Sequence, residues 1–238
     1  NVWVCPTHSW EGEKDESLIM RRMGWHIEAA LEHEGRPWKD TNDWEKLVKP
    51  LDDREAIRFI KKLTQSEKPF AFDYETTCLK PEGPASDIAS AAITIMGKLT
   101  VAFAWSSGVA VAMRTLLTNP APKIAANCKF EDRWTRCKLG VPVRNWAWDT
   151  MQAAHCLDNR QGVTSVEFNA FVLLGFHNYA EDIKPYFRAD HSYDANRIFE
   201  IPLPKLLLYN GLDTLLEWKI AERQIKMMNH PVRKKLKL

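Results

Sequence analysis

Between residues 68 and 126 the chain carries four short apolar runs, 68–75, 88–96, 99–105 and 123–126, each too short for a core helix. Runs of this length bounded by turn residues read as β-strands. Gly97-Lys98, between the second and third runs, reads as the turn of a hairpin. Upstream, Pro50 and Leu51-Asp-Asp53 look like the start of a helix over 53–65, with Ala56, Ile57, Ile60 and Leu63 on one face. Downstream the spacing becomes helical, at about 128–138, 150–157, 164–174, 180–187 and 204–228. A strand meander, then strand and helix in alternation, then helices: that order describes an α/β fold, a mixed sheet flanked by helices, of about 185 residues.

The full 238 residues, 45% of them hydrophobic, suffice for one core and an appendage. Residues 1–50 read as that appendage, irregular and helix-containing, with a strand at 2–5, a helix around 17–34 and a stop at Gly35-Arg-Pro37. No apolar run approaches the roughly 20 residues that span a bilayer. The start, Asn1-Val-Trp-Val4, has no basic segment followed by an apolar stretch. A cytoplasmic location without a membrane partner is therefore expected. The lack of an initiator Met fits a piece of a longer protein.

Cys5, Cys78, Cys128, Cys137 and Cys156 are odd in number and irregular in spacing, which argues for free thiols in a reducing compartment. Cys5-Pro-Thr-His8 has the spacing of half a zinc site, but no second pair accompanies it. A net charge of +2 does not announce a nucleic-acid binder. Basic residues concentrate in Arg233-Lys-Lys-Leu-Lys237, within a tail at 231–238 expected to be solvated. Among the ten Trp, those at 25, 38, 44, 134 and 218 fall in helix-like segments, where core packing is expected.

Three acidic constellations carry the chemistry. In Lys68-Pro-Phe-Ala-Phe-Asp-Tyr-Glu75, Asp73 and Glu75 lie two apart at a strand end, so both carboxylates project from one face. Adjacent carboxylates repel unless a cation sits between them, although Asp-x-Glu also occurs at solvated strand ends. In Asn127-Cys-Lys-Phe-Glu131-Asp132, Asn127 and Glu131 share a helical face; a helix cap followed by first-turn acids reads equally well. In Tyr209-Asn-Gly-Leu-Asp213, inside the long helix, Tyr209 and Asp213 share a face while Leu206, Leu207, Leu212, Leu215 and Leu216 supply its apolar side. An Asp buried there is costly unless paired or bound to metal. Gly211 costs about 1 kcal/mol of helix propensity, which suggests close packing or a substrate path.

In this order the three segments resemble the motifs of the DEDD exonuclease superfamily, in the subgroup with Tyr in the third motif, as in the proofreading domain of bacterial and phage family A DNA polymerases. Phe72-Asp-Tyr-Glu-Thr-Thr77 resembles the first motif, Ala126-Asn-Cys-Lys-Phe-Glu131 the second, and Tyr209-x-x-x-Asp213 the third. Trp148-Asp-Thr-Met151 is similar to the strand-to-helix turn after the second motif, and Leu173-Leu-Gly175 to the helix end before the third. The resemblance covers about residues 52–228.

It implies a ribonuclease-H-like fold over 51–230 and two-metal-ion 3′–5′ hydrolysis of single-stranded DNA ends to nucleoside 5′-monophosphates. Asp73, Glu75, Glu131 and Asp213 would hold two Mg²⁺ or Mn²⁺ ions, and Tyr209 would position the attacking water. Thr76 and Leu79 would meet the terminal nucleotide. Asn127 would bond the substrate or orient a neighbouring ligand, and Asp149 would act from behind or cap a helix. One departure stands out: the second motif carries Glu131 where the family has Asp. Asp132, one residue on, points about 100° further round the helix. Glu131 is favoured because its longer side chain reaches from the same face, and Asp132 is the alternative.

Two other readings stay open, an RNase-D-like RNA 3′ exonuclease and a catalytically impaired scaffold that only binds nucleic acid. A polymerase module in the same or another chain is the implied partner. Val4-Cys-Pro-Thr-His8 faintly resembles a Pro-Thr…His-Pro-Ser segment of some uracil-DNA glycosylases, without the Pro-Ser, which would make residues 1–50 the remnant of an upstream module. The simpler reading is a helical extension of the nuclease domain.

Overall fold

The computed structural model describes residues 42–176 and 179–237, together with Gly24, Ile27 and Leu31, which are helical. The expected strand at 2–5, the Cys5/His8 pair, Trp25, Trp38 and the rest of the helix at 17–34 lie outside the described residues. The chain divides into two units, Asn1–Asp43 and Trp44–Leu238, and the second holds the sheet.

Six strands build that sheet: β1 (Val48–Leu51), β2 (Phe70–Thr76), β3 (Ile88–Ile95), β4 (Leu99–Ala104), β5 (Lys123–Ala125) and β6 (Trp146–Asp149). Their order across the sheet is β1-β4-β3-β2-β5-β6. The central β2, β3 and β4 form the antiparallel meander. Outside it, β1 pairs parallel with β4, β5 with β2, and β6 with β5. At the hairpin the left-handed residues are Met96 (φ 49°) and Gly97 (φ 63°), one position earlier than expected. A Cβ on Gly97 would fall 2.7 Å from the Trp218 ring, so glycine serves both the turn and the packing beneath it.

Helices cover both faces. On one lie α1 (Asp53–Ser66), α2 (Ser107–Leu117) and α3 (Cys128–Leu139), whose Ile60, Leu63, Met113, Leu116 and Trp134 pack on Phe70, Phe72, Ile93 and Phe103. On the other runs α6 (Leu203–Met227), with α4 (Thr150–Leu157), α5 (Val166–Leu174) and α7 (Val232–Leu236) around it. The strands present small residues to α6: Ala92 and Ala102 pack with Leu212 and Leu216, and Ala71 with Trp218 and Ala221. Strand alternation thus puts the bulky members of β2 under α1–α3 and sends Ala71, Asp73 and Glu75 toward the α6 side. The helix comes close enough that a Cβ on Gly211 would stand 2.3 Å from Val48 Cγ1. Close packing is therefore what that glycine provides.

Four local outcomes depart from expectation. Residues 48–51 form β1, so Pro50 and Leu51, read as the entry to the helix, belong to a strand instead; Pro50 is tolerated because β1 is an edge strand. The helix begins at Asp53, with Asp52 and Glu55 forming a capping box. Residues 107–117 form α2, capped by Ser106, whose hydroxyl accepts the Val109 N–H. Its Gly-Val-Ala-Val-Ala start has no apolar stripe to mark it as helical. The helix expected at 180–187 is only a 3₁₀ turn, Lys184–Tyr186, because Pro185 disfavours helical backbone before it. Finally, the basic tail is not wholly solvated: it forms α7 and buries Leu236 against Trp148 and Ala153.

Trp134 and Trp218 are fully buried, and Trp44 stacks on Phe176 at 5.4 Å. Among the described residues Cys78, Cys128, Cys137 and Cys156 are free thiols, and no helix is long and apolar enough to cross a membrane.

Candidate active site

Three elements bring carboxylates to the α6 side of the sheet. From β2, Asp73 stands opposite Ala92 and Glu75 opposite Ser90 on β3, so small neighbours leave the acids room. Asp73 is half-buried and Glu75 is buried. Asp73 Oδ2 accepts a 2.7 Å hydrogen bond from the Asn210 amide, and the Ser90 hydroxyl donates to Asn210 Oδ1 at 3.2 Å.

The second contribution enters at the start of α3. Asn127 adopts the left-handed conformation (φ 62°, ψ 59°), which Asn tolerates better than most residues, and its side chain makes no capping bond. The capping is done by Asp149 at the end of β6. Its Oδ1 accepts the N–H groups of Asn127 (3.1 Å), Met151 (3.0 Å) and Gln152 (3.1 Å), and its Oδ2 that of Cys128 (2.8 Å). One carboxylate thereby caps α3 and α4 together. One turn into α3, Glu131 is turned inward, only 1% exposed. Asp132 faces elsewhere, its Oδ2 pairing with Arg136 at 2.5 Å and its Oδ1 accepting the Val143 N–H at 2.8 Å. Of the two acids the sequence left in competition, only Glu131 joins the group.

The third contribution comes from α6. Asp213 accepts a hydrogen bond from the hydroxyl of Tyr179, whose ring stacks on that of Tyr209 with centroids 5.8 Å apart. One turn on, Glu217 is 1% exposed and its Oε1 accepts the Ala126 N–H at 3.1 Å. Sequence reasoning missed Glu217, Asn210 and Tyr179. Glu217 was within reach of it, lying four residues beyond Asp213 on the same face of the helix. Nothing in the sequence marked Tyr179.

The electrostatics are those of a group short of positive charge. Among the described residues no ion pair engages Asp73, Glu75, Glu131, Asp213 or Glu217. Burial, then the charge of Asp213, pushes Asp73 well above the usual carboxylate range. Glu75 is raised by burial and then by Asp73, Asp213 and Glu131. Glu131 is raised by burial and then by Asp73, and Glu217 by burial and then by Asp73, Glu131 and Asp213. Asp213 is pushed up to about 6, mainly by burial, with the two tyrosine hydroxyls pulling the other way.

Two carboxylate oxygens, Glu131 Oε2 and Glu217 Oε2, are buried without a hydrogen-bond partner. Hard oxygen donors gathered in this way suit Mg²⁺ or Mn²⁺. By donor chemistry and by these two unpartnered oxygens the residues suit a divalent cation, although among the described residues no three such side chains stand arranged to hold a metal ion.

The residues expected to meet substrate lie where β2 ends. The Thr76 hydroxyl donates to the Cys78 carbonyl at 2.9 Å, so it is engaged locally. Leu79, just beyond, holds its side chain 68% exposed.

No protein-family model matches the chain. In sequence it is similar to DNA polymerase I of Chloroflexus aurantiacus, 30% identical over 164 residues, which cover 65% of this chain but only 17% of the polymerase. In structure it is similar to the catalytic core of RRP6 from Trypanosoma brucei (TM-score 0.59, 16% identity, covering 79% of this chain and 48% of that one). It is likewise similar to RNase D of the same organism, solved with GMP (TM-score 0.59, 16% identity, 80% and 61% covered). The chain thus spans about a sixth of its curated relative and 48% and 61% of these two neighbours. With its six-stranded mixed sheet and flanking helices, the chain has the ribonuclease-H-like fold of the DEDD-type 3′–5′ exonucleases.

Proposed function

We propose that this chain is a divalent-metal-dependent 3′–5′ exonuclease acting on single-stranded nucleic-acid ends, with DNA as its substrate. The observation that carries the proposal is that Asp73, Glu75, Glu131 and Asp213, from three elements, lie near enough for their charges to act on one another, in a partly buried group that no ion pair neutralises among the described residues. These four would hold two Mg²⁺ or Mn²⁺ ions. The chemistry such a pair supplies is activation of a water and stabilisation of the departing 3′ oxygen and the phosphate charge.

The protein's own groups do the positioning. Asn210, locked by Ser90, fixes the orientation of Asp73. Tyr209, stacked on Tyr179, which itself donates to Asp213, would orient the attacking water. Asn127 keeps its amide free of capping, because Asp149 takes that role, and would bond the substrate. Leu79 offers an apolar surface for the terminal base, since stripped single-stranded ends bind by stacking and apolar contact. The product would be a nucleoside 5′-monophosphate; T. brucei RNase D, a structural neighbour, was solved with a nucleoside monophosphate, GMP.

Sequence similarity to a DNA polymerase favours DNA and a polymerase module as partner, in the same or another chain. The likeness to RNase D and RRP6 favours an RNA 3′ end to a comparable degree, which makes RNA the second reading. Matched 5′-labelled DNA and RNA strands test both. Wild type should shorten the DNA from its 3′ end in Mg²⁺, and Asp73→Ala should leave it intact. Faster shortening of the RNA would transfer the proposal to the second reading. Unchanged shortening by Asp73→Ala would refute both.

A further inference from the structure

We infer that Glu217 is a fifth carboxylate of the cation site, binding beside Glu131 and setting how tightly the ion there is held. The inference rests on the metal-dependent reading and adds a residue to it. Glu217 lies one helical turn beyond Asp213 on α6, on the face that meets the sheet. Its Oε1 is used structurally, accepting the N–H of Ala126, the residue before Asn127. Its Oε2 is buried and has no partner, and the same holds for Oε2 of Glu131 across the site on α3. Each of the two is close enough to Asp73 to feel its charge, and Glu217 also feels that of Glu131.

A buried carboxylate oxygen without a donor is an expensive feature. One cation reached by both oxygens satisfies both at once. A comparison within α6 strengthens the point. Two turns further on, Gln224 uses its amide fully, accepting from Trp148 Nε1 at 3.0 Å and donating to the Thr150 carbonyl at 2.9 Å. Where α6 only ties itself to its neighbours, an amide does the work. At position 217 the same tie to the backbone is made by an acid, whose second oxygen is left over for an ion.

Glu217→Gln separates the two roles, because it keeps the acceptor for Ala126 and removes the charge. The metal-free full chain and this variant are titrated with Mn²⁺ by calorimetry, and their thermal unfolding is followed with and without Mn²⁺. The expected result is Mn²⁺ binding weakened about tenfold or more, a smaller Mn²⁺-induced rise in Tm, and a metal-free Tm equal to or above that of wild type. Wild-type Mn²⁺ affinity in Glu217→Gln, with affinity lost in Asp73→Asn, overturns the inference and leaves the metal-dependent reading standing. No Mn²⁺ binding by wild type overturns both. If Glu217→Gln fails to fold, Glu217→Asp carries the test: its shorter stem must also weaken Mn²⁺ binding, and wild-type affinity in the folded variant overturns the inference.

Discussion

Raising the pH of the metal-free protein should destabilise it. The Asp213 carboxyl titrates at about 6 in the folded chain against an ordinary value of 3.8. Between those values the folded state binds more protons than the unfolded state, so native stability falls as pH rises. Below the lower value both states are protonated and above the upper one both are ionised, so the contribution of Asp213 is flat outside the window. A shift of about two units corresponds to about 3 kcal/mol, an upper figure because Asp213 keeps some solvent contact. Asp73, Glu75, Glu131 and Glu217 are displaced in the same direction and add to the loss.

Urea unfolding in EDTA at a series of pH values from 4 to 8 reads this out. With a urea slope of about 2 kcal/mol/M, the Asp213 share alone moves the midpoint down by about 1–1.5 M. Asp213→Asn, which cannot ionise, should lose that share of the slope. Adding Mn²⁺ should reverse the trend, since a cation favours the ionised carboxylates. Metal-free stability that stays level or rises between pH 4 and 7, in wild type and Asp213→Asn alike, would refute a buried and unneutralised acidic group.

Gly211→Ala should destabilise the fold despite improving the helix. The gain in propensity is about 1 kcal/mol, whereas the new Cβ would meet the stiff Val48 side chain at 2.3 Å, and overpacking of this kind costs about 1–3 kcal/mol. Thermal unfolding should show a net loss, and Val48→Ala in the same background should recover part of it. Asp149→Ala removes the cap of two helices at once. It should cost about 2 kcal/mol or more, at about 1 kcal/mol per cap, and a loss below 0.5 kcal/mol in chemical denaturation would contradict the double-cap role.

What the sequence made legible was whatever local pattern alone decides. The four apolar runs became β2 to β5, because a short apolar stretch between turns has few alternatives. The long C-terminal helix was legible from its leucine spacing, and the preference for Glu131 over Asp132 came from the register of the resembled motif and the longer reach of Glu. Less was visible where the partner decides the outcome. The β1 strand exists because β4 offers it an edge, and α2 is apolar nearly all round, so no stripe marked it. At the site, Asp73 and Glu75 were singled out by their spacing together with the two later motifs, while the residues that support them were not. Asn210 and Tyr179 matter through contacts with Asp73 and Asp213 that lie 137 and 34 residues apart in the chain.

Anomalous diffraction from crystals grown in Mn²⁺ tests the central claim most directly. Manganese peaks bounded by Asp73, Glu75, Glu131 and Asp213 are the predicted result. Well-ordered crystals with no manganese at these carboxylates, at Mn²⁺ concentrations that support strand shortening, would contradict it.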